Sequence, residues 1–209
     1  KTSRHPFDAF YDTLERRCSL ILESAPVTES RWRAMWQQGV WASALRAARS
    51  TQGRILDLVI AHHIRANPAF RDRAIEELTS LISWSTWVDP CHNHLPADLC
   101  TAEAAVAAVT ALDWLWDDLT EAQRRRCLDA IYQKAVHPYR KGVEGQVSWY
   151  NTYSNWNAVL NGGCGLAALA LSDEDPAAAE ALRWAKGGLD QFFAALGSEG
   201  GWDEGTGYW

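Results

Sequence analysis

The stretch SWYNTYSNWNAVLNGGCGLAALAL, residues 148–171, sets the organisation of the whole chain. Its first half is crowded with amides, phenols and indoles, and its second half is rich in Ala, Gly and Leu. A helix that is apolar on nearly every face is normally buried. Trp and Tyr carry too much apolar area to line a purely solvent-facing loop. The sequence therefore predicts a buried helix that supports a polar and aromatic floor, on which a ligand binds.

Length and composition define the broad class of protein. The chain has 209 residues, of which 47% are hydrophobic, and this suffices for one sizeable core or two small ones. No run of 18 apolar residues occurs, so we expect no membrane span, and residues 1–6 lack the apolar segment of a signal peptide. The net charge of -6 is spread without long runs, which argues against nucleic acid as a partner.

Tryptophan is the outlier in the composition, with 12 residues. Indole faces pack in cores and also pack against the apolar faces of sugar rings, so a carbohydrate is one candidate ligand. Helical spacing favours core positions for four of them: Trp32, Trp36, Trp114 and Trp116.

The cysteines and histidines raise the question of a disulfide or a metal. Five cysteines form no CxxC pair, and most are expected to be buried thiols, although a bridge between Cys91 and Cys100 stays open. His92 and His94 with these flanking cysteines could hold zinc, but structural zinc sites favour Cys-x(2–4)-Cys spacing. We therefore expect neither a metal nor another cofactor.

Hydrophobic periodicity and capping residues predict an all-α chain with no strand. Helix starts are marked by Asn67-Pro68, by the capping box that begins at Thr120, and by Asp175-Pro176. The predicted helices cover about residues 7–22, 29–50, 55–62, 68–81, 100–117, 120–137, 155–171 and 176–196.

The later helices alternate in character. Helices 100–117 and 155–171 are apolar on most faces, whereas helices 120–137 and 176–196 carry charge on one side. Hairpins of inner and outer helices form a solenoid or an (α/α) toroid, and a compact bundle is the rival interpretation. The final residues, GWDEGTGYW at 201–209, are typical of a site loop, so we expect residues 1–209 to be the N-terminal part of a larger toroid domain.

Three motifs follow one another along the second half of the chain. They are HLPADLCTAE at 94–103 with DWL at 113–115, SNWNAV at 154–159 with Gly162-Gly163, and GWDEGTGYW at 201–209. Together they resemble the toroid domain of the heparinase II/III-like polysaccharide lyases, over about residues 89–209. The resemblance implies an incomplete (α/α) toroid followed by a β-sandwich region beyond Trp209.

The resemblance also implies a reaction, the β-elimination of glycans that contain uronic acid. This reaction needs a group that neutralises the C5 carboxylate, a base for the C5 proton and an acid for the O4 leaving group. By resemblance, Asn155 neutralises the carboxylate and Tyr208 acts as acid and base. The implied partner is an acidic polysaccharide or oligosaccharide, and the periplasm or secretion is favoured over the cytoplasm.

The motifs suggest further substrate-binding residues and also depart from the family pattern. Many relatives have His directly after the motif Asn or Tyr, where this chain has Trp156 and Trp209. A His that acts as base would then come from beyond Trp209, and Asn157 is as credible a neutralising group as Asn155. The residues expected to contact substrate are His94, Trp156, Asn157, Trp202, Glu204 and Trp209.

Other interpretations of the same residues stay open. Asn155 could simply be the N-cap of the following helix, and Tyr208 could be a buried phenol. A toroid glycoside hydrolase would use Glu204 or Asp203 with a second carboxylate, for which Asp113 and Asp118 are candidates. A glycan-binding protein without catalysis would need only a cleft rich in tryptophan.

Overall fold

The computed structural model describes residues 6–202, and these residues form nine α-helices and no strand. The all-α prediction is therefore confirmed for this part of the chain. None of these helices combines the length and apolar character needed to cross a membrane. The helices are α1 (Pro6–Glu23), α2 (Glu29–Gln37), α3 (Ser43–Arg65), α4 (Pro68–Ser83), α5 (Leu99–Trp114), α6 (Glu121–Ile131), α7 (His137–Glu144), α8 (Asn155–Leu169) and α9 (Pro176–Ala195).

Side-chain caps explain where several helices begin. The side-chain oxygens of Asn67, Asp98, Thr120 and Asp175 accept hydrogen bonds from backbone N–H groups in the first turns of α4, α5, α6 and α9. These N–H groups have no partner within the helix, so a cap of this kind stabilises the helix by about 1 kcal/mol. The predicted starts at Asn67, Thr120 and Asp175 are confirmed.

The predicted helix over residues 29–50 is wrong. The chain leaves the helix after Gln37, and both Gly39 and Ala42 have positive φ, of 82° and 53°. A left-handed backbone interrupts the ladder of helical hydrogen bonds, and periodicity of apolar residues alone does not reveal it. The new helix α3 begins at Ser43 and absorbs the separate helix predicted around residues 55–62.

Three helices, α3, α5 and α8, run side by side in the same direction and form a central row. Near the starts of α3 and α5, Arg49 pairs with Glu103 at 3.0 Å, and near their ends the rings of His63 and Trp114 lie 5.0 Å apart. His92, in the loop before α5, lies against Trp156 at the start of α8, Ala102 lies against Gly163 in the middle of α8, and the last turns of α5 and α8 line one cavity. The loops that precede α3, α5 and α8 therefore meet at one end of the molecule.

The other helices flank the central row. α4 returns along α3 after only residues 66–67, and α9 returns along α8, since Gly165 lies against Ala185 and Asn161 lies against Gly188. α6 continues through a π-helical turn at Tyr132–Val136 into α7, past the end predicted at residue 137. This layout of central and flanking helices matches the predicted alternation, while the closure into a toroid stays a prediction.

Glycine permits the closest contact within the central row. A Cβ atom on Gly163 would lie 2.6 Å from the carbonyl oxygen of Ala102 in α5, and one on Gly165 would lie 3.0 Å from the Cβ of Ala185 in α9. Real Cβ atoms do not approach backbone this closely, so α8 can touch α5 only with glycine at 163. Tight packing therefore explains Gly163 and Gly165, whereas a Cβ on Gly162 would meet nothing within 4 Å.

A buried ion cluster joins α3 and α4. The carboxylate of Glu77, completely buried, accepts hydrogen bonds from Arg54 Nε at 2.8 Å, from Arg73 Nε at 2.9 Å and from the backbone N–H of Val27 at 3.2 Å. A buried charge is tolerated only when it is paired and hydrogen-bonded in this way. The cluster fixes the segment between α1 and α2 against α3 and α4.

Candidate functional site

A cleft of about 340 Å³ opens at the end of the molecule where the loops before α5 and α8 meet. The loop before α5 contributes imidazole rings, and the loop before α8 contributes hydroxyl groups and indoles. The mixture of polar groups and flat aromatic faces matches the floor predicted from the sequence. The residues that line this cleft are His92, His94, Leu95, Ser148, Trp149, Thr152, Ser154 and Trp156.

A chain of buried amides holds the loop before α8 in place. Tyr139 donates to Asn161 Oδ1 at 2.6 Å, Asn161 donates to Asn157 Oδ1 at 3.0 Å, and Asn157 donates to the carbonyl of Tyr150 at 2.9 Å. Burial raises the pKa of the Tyr139 phenol well above its ordinary value, so this hydroxyl stays protonated and can donate. The indole of Trp149 packs on Tyr139 and completes the support.

The expectation that Asn157 contacts substrate is corrected by this arrangement. Asn157 is completely buried, and its amide oxygen and nitrogen are both hydrogen-bonded inside the protein. A buried amide that is satisfied on both sides is a structural group. Of the two asparagines, Asn155 is thus the one that is partly exposed.

Asn155 is the first residue of α8, and the interpretation of Asn155 as the N-cap is wrong. The N-cap is Ser154, whose hydroxyl pairs with that of Thr152 at 3.0 Å and makes no hydrogen bond to the helix. Asn155 is partly exposed and stands between Ser154 and Trp156, which both line the cleft. The backbone of Asn155 therefore lies next to the cleft.

His92 is a site residue that the sequence motifs did not identify. Its Nδ1 lies 3.0 Å from the carboxylate of Asp98, and its ring meets the ring of Trp156 edge-on, with 4.9 Å between the centroids. Asp98 is completely buried and also accepts hydrogen bonds from the backbone N–H groups of Asp89 and Thr101. His94, which the motifs did identify, is exposed and lines the same cleft.

Burial and hydrogen bonding act in opposite directions on Asp98. Burial raises the pKa of the Asp98 carboxyl, and the hydrogen bonds from His92 and from the two backbone N–H groups lower it by a smaller amount. The carboxylate fixes the His92 ring through Nδ1, which leaves Nε2 on the other edge of the ring. The sequence signal for this pair is an aspartate, Asp98, at the N-cap of α5 and six residues after His92.

Trp202 connects the beginning of the last motif to the loop before α8. Its indole Nε1 donates to the carbonyl of Tyr153 at 2.8 Å, and its ring meets Phe192 at 5.3 Å. A second cavity, of about 450 Å³, lies between Tyr153, Trp202 and the end of α9. The last motif therefore begins against Tyr153, which precedes Asn155 by two residues in the sequence. The expected site residues Glu204, Tyr208 and Trp209, and the alternative Asp203, lie outside the described residues.

The carboxylates considered for a glycoside hydrolase lie at the opposite end of the molecule. Asp113 is at the end of α5 and Asp118 follows it, whereas the cleft is at the start of this helix, about 22 Å away at the helical rise of 1.5 Å per residue. Trp114 and Trp116 lie beside them, are exposed, and line a cavity of about 530 Å³. The predicted core position is confirmed for Trp32 and wrong for Trp36, Trp114 and Trp116.

The cysteines near the cleft are free thiols. Cys91 and Cys100 form no disulfide with each other, so the bridge left open by the sequence is not formed. Burial raises the pKa of the Cys91 thiol to about 12, so this group is protonated at neutral pH and is a poor nucleophile. Within residues 6–202, no three His, Cys, Asp or Glu side chains come together as a metal site would require.

Comparison with known proteins does not identify a family for this chain. No protein-family model matches it, and no curated protein does so either. What the protein does is therefore inferred from the residues of the cleft.

Proposed function

We propose that the protein is a polysaccharide lyase, similar to heparinase II/III-like enzymes, that cleaves uronic-acid glycans by β-elimination in the cleft before α5 and α8. The observation that carries the proposal is the hydrogen bond from Trp202 to the carbonyl of Tyr153. It joins the start of the last motif to the loop that ends at Asn155, so two motifs 47 residues apart in the chain, from 155 to 202, are in contact. Trp202 and Tyr153 line the cavity next to this loop, and Ser154 and Trp156 line the cleft.

Asn155 has the chemistry that the first step requires. Removing the C5 proton beside a carboxylate builds a second negative charge on the substrate, which water stabilises poorly. A preorganised amide donor aimed at this charge supplies about 3 kcal/mol to the transition state. An amide does so without a titrating group, and Asn155 stands at the partly exposed edge of the cleft.

The start of α8 favours a negatively charged ligand. The N-terminus of a helix carries roughly half a positive charge and presents backbone N–H groups. The N-cap Ser154 makes no side-chain hydrogen bond to this helix, in contrast to the N-caps of α4, α5, α6 and α9. The carboxylate of a uronic acid would complete this end of the helix, with the sugar ring against Trp156.

Tyr208 is the proposed acid for the O4 leaving group. This role comes from the resemblance of the motif at 201–209, and Tyr208 itself lies outside the described residues. In the same proposal, the central row α3, α5 and α8 forms the inner helices of an (α/α) toroid, and α4, α6, α7 and α9 form its outer helices.

The proposal is tested by incubating the full-length protein with alginate, heparan and hyaluronan and following the ultraviolet absorbance of an unsaturated product. We expect product from at least one polymer, and a loss of about 10²-fold or more in kcat for Asn155→Ala. The matched control is Asn151→Ala, which removes an exposed amide from the same loop and should leave kcat unchanged. Absence of an unsaturated product with all three polymers, or equal activity of both variants, would contradict the proposal.

A further inference from the structure

We infer that His92 is the base that removes the C5 proton, an assignment that rests on the proposed elimination chemistry. Sequence motifs pointed to a histidine beyond Trp209 for this step, because Trp156 replaces the histidine that follows the motif Asn in many relatives. In the structure, the ring of His92 lies against that same Trp156, with 4.9 Å between the centroids. A second chain segment thus brings an imidazole into contact with the residue that replaces the motif histidine.

The geometry gives His92 the tautomer that a base needs. Its Nδ1 faces the Asp98 carboxylate at 3.0 Å, so the proton of the neutral ring resides on Nδ1. Nε2 then carries the lone pair, and it forms no hydrogen bond with any residue in 6–202. His92 lines the cleft and is about one-fifth exposed, so this lone pair is accessible to a substrate.

Asp98 is the positioning residue of the pair. It is held by the backbone N–H groups of Asp89 and Thr101, and its buried carboxylate can therefore orient the ring of His92 without itself moving. The same relation between carboxylate and imidazole keeps the histidine of serine hydrolases in its reactive tautomer. Asp98 also favours the imidazolium that forms when Nε2 takes a proton.

The reaction balances without any further reactant. His92 Nε2 takes the proton from C5, the C5–H electron pair forms the C4=C5 double bond, and the C4–O4 bond breaks. Tyr208 gives its phenolic proton to the departing O4. The proton on His92 and the one that Tyr208 lacks are then exchanged with solvent. Tyr208 acts only as acid in this sequence, which removes the requirement that one phenol serve as both acid and base.

The charged and titratable groups around His92 determine the pH at which it can act. Asp98 at the start of α5 faces Nδ1, the thiol of Cys91 lies 3.5 Å from the same atom, and Asp89 is hydrogen-bonded to the backbone N–H of Cys91. His94 shares the cleft, and α8 contributes the uncharged Trp156. Within residues 6–202, Asp98 is the carboxylate in contact with the ring, and a proton bound at Nε2 would occupy the lone pair that the base step uses.

The test compares His92→Gln with His63→Gln in the full-length protein, on a polymer that the unmodified protein cleaves. We expect His92→Gln to lower kcat by about 10²- to 10⁴-fold with little change in KM, and to abolish the acid limb of the kcat profile. His63→Gln changes an exposed histidine that lies against Trp114 at the opposite end of the molecule, and should retain both kcat and that limb. Asp98→Asn keeps an N-cap residue and should lower kcat while shifting the acid limb.

A chemical-rescue experiment distinguishes the loss of a base from misfolding of the variant. His92→Ala leaves room for an added imidazole, and we expect imidazole to restore at least 10-fold of the lost rate, in proportion to its unprotonated form. If His92→Gln kept the kcat and the acid limb of the unmodified protein, the role of His92 would be overturned and the proposed function would stand. The same conclusion would follow if His92→Ala lost activity and added imidazole did not restore it. Absence of unsaturated product from the unmodified protein would overturn both this role and the proposed function.

Discussion

The contact between α5 and α8 can be tested with two neighbouring glycines. At Gly163, an added Cβ would lie 2.6, 2.8 and 2.9 Å from three atoms of Ala102, two of which are backbone. No side-chain rotation can relieve such a clash, so α8 would have to move away from α5 by about 0.8 Å to reach ordinary contact. At Gly162, one residue earlier on the same helix, an added Cβ would meet nothing within 4 Å.

The two substitutions to alanine should therefore have opposite effects on stability. Both gain about 1 kcal/mol of helix propensity, because alanine loses less backbone entropy than glycine in a helix. Gly163→Ala also bears an overpacking cost of about 1–3 kcal/mol, near the upper end here because backbone is involved. The propensity gain cancels in the difference between the variants, which we expect to be about 2–3 kcal/mol in favour of Gly162→Ala.

Thermal and urea unfolding of both variants beside the unmodified protein would measure this difference. For a chain of this size, 1 kcal/mol corresponds to about 2–4 °C in Tm, so the variants should differ by roughly 5–10 °C. Gly162→Ala should unfold above the unmodified protein and Gly163→Ala below it. Equal stability of the two variants would refute the close approach of α5 and α8, and with it the parallel central row.

Two further predictions concern charged groups. Glu77→Ala should lower the free energy of unfolding by about 3–5 kcal/mol in urea unfolding, because it removes the buried carboxylate that pairs with Arg54 and Arg73. Glu121→Ala, which removes a surface ion pair, should change the free energy of unfolding by less than about 1 kcal/mol. Burial alone would raise the pKa of Glu29, but hydrogen bonds from Ser85 and Arg33 outweigh it and lower that pKa from 4.5. Ionised Glu29 therefore stabilises the fold above its unfolded-state pKa, and this stability is lost as the pH falls through the lower folded-state pKa. Glu29→Gln should accordingly show a smaller loss of unfolding free energy below about pH 4.5 than the unmodified protein, and an identical acid dependence would contradict the stabilising role of Glu29.

Local signals in the sequence were sufficient for much of the fold. The run of Ala, Gly and Leu after residue 157 predicted a buried helix because it offers no polar face to water, and α8 lies in the central row. Capping residues such as Thr120 and Asp175 act through hydrogen bonds to the next few backbone N–H groups. A segment of about four residues is therefore enough to predict where these helices begin.

Features that depend on distant contacts were not predictable in this way. The apolar period continues through residues 38–42, and only the left-handed backbone at Gly39 and Ala42 ends the helix there. Asn155 and Asn157 look equivalent in sequence, but the turn of α8 directs Asn157 towards Asn161 and leaves Asn155 at the edge of the cleft. Exposure of Trp114 and Trp116 likewise depends on which helices cover the far end of α5.

The parallel central row explains why the candidate site lies at one end only. Three helices that begin at the same end bring three positive helix poles together, and each pole must be matched by negative charge or by hydrogen-bond acceptors. At α5 the protein supplies its own carboxylate, Asp98, which in turn orients His92. At α8, the side chain of the N-cap Ser154 makes no hydrogen bond to the helix, and the first residue, Asn155, is an uncharged amide. In the proposed function, a carboxylate of the substrate would bind at the start of α8, where Ser154 makes no side-chain cap, with the imidazole of His92 against Trp156 beside it. A neutral glycan would gain nothing from this difference between the two helices, and for this reason the arrangement favours a uronic acid over an uncharged sugar.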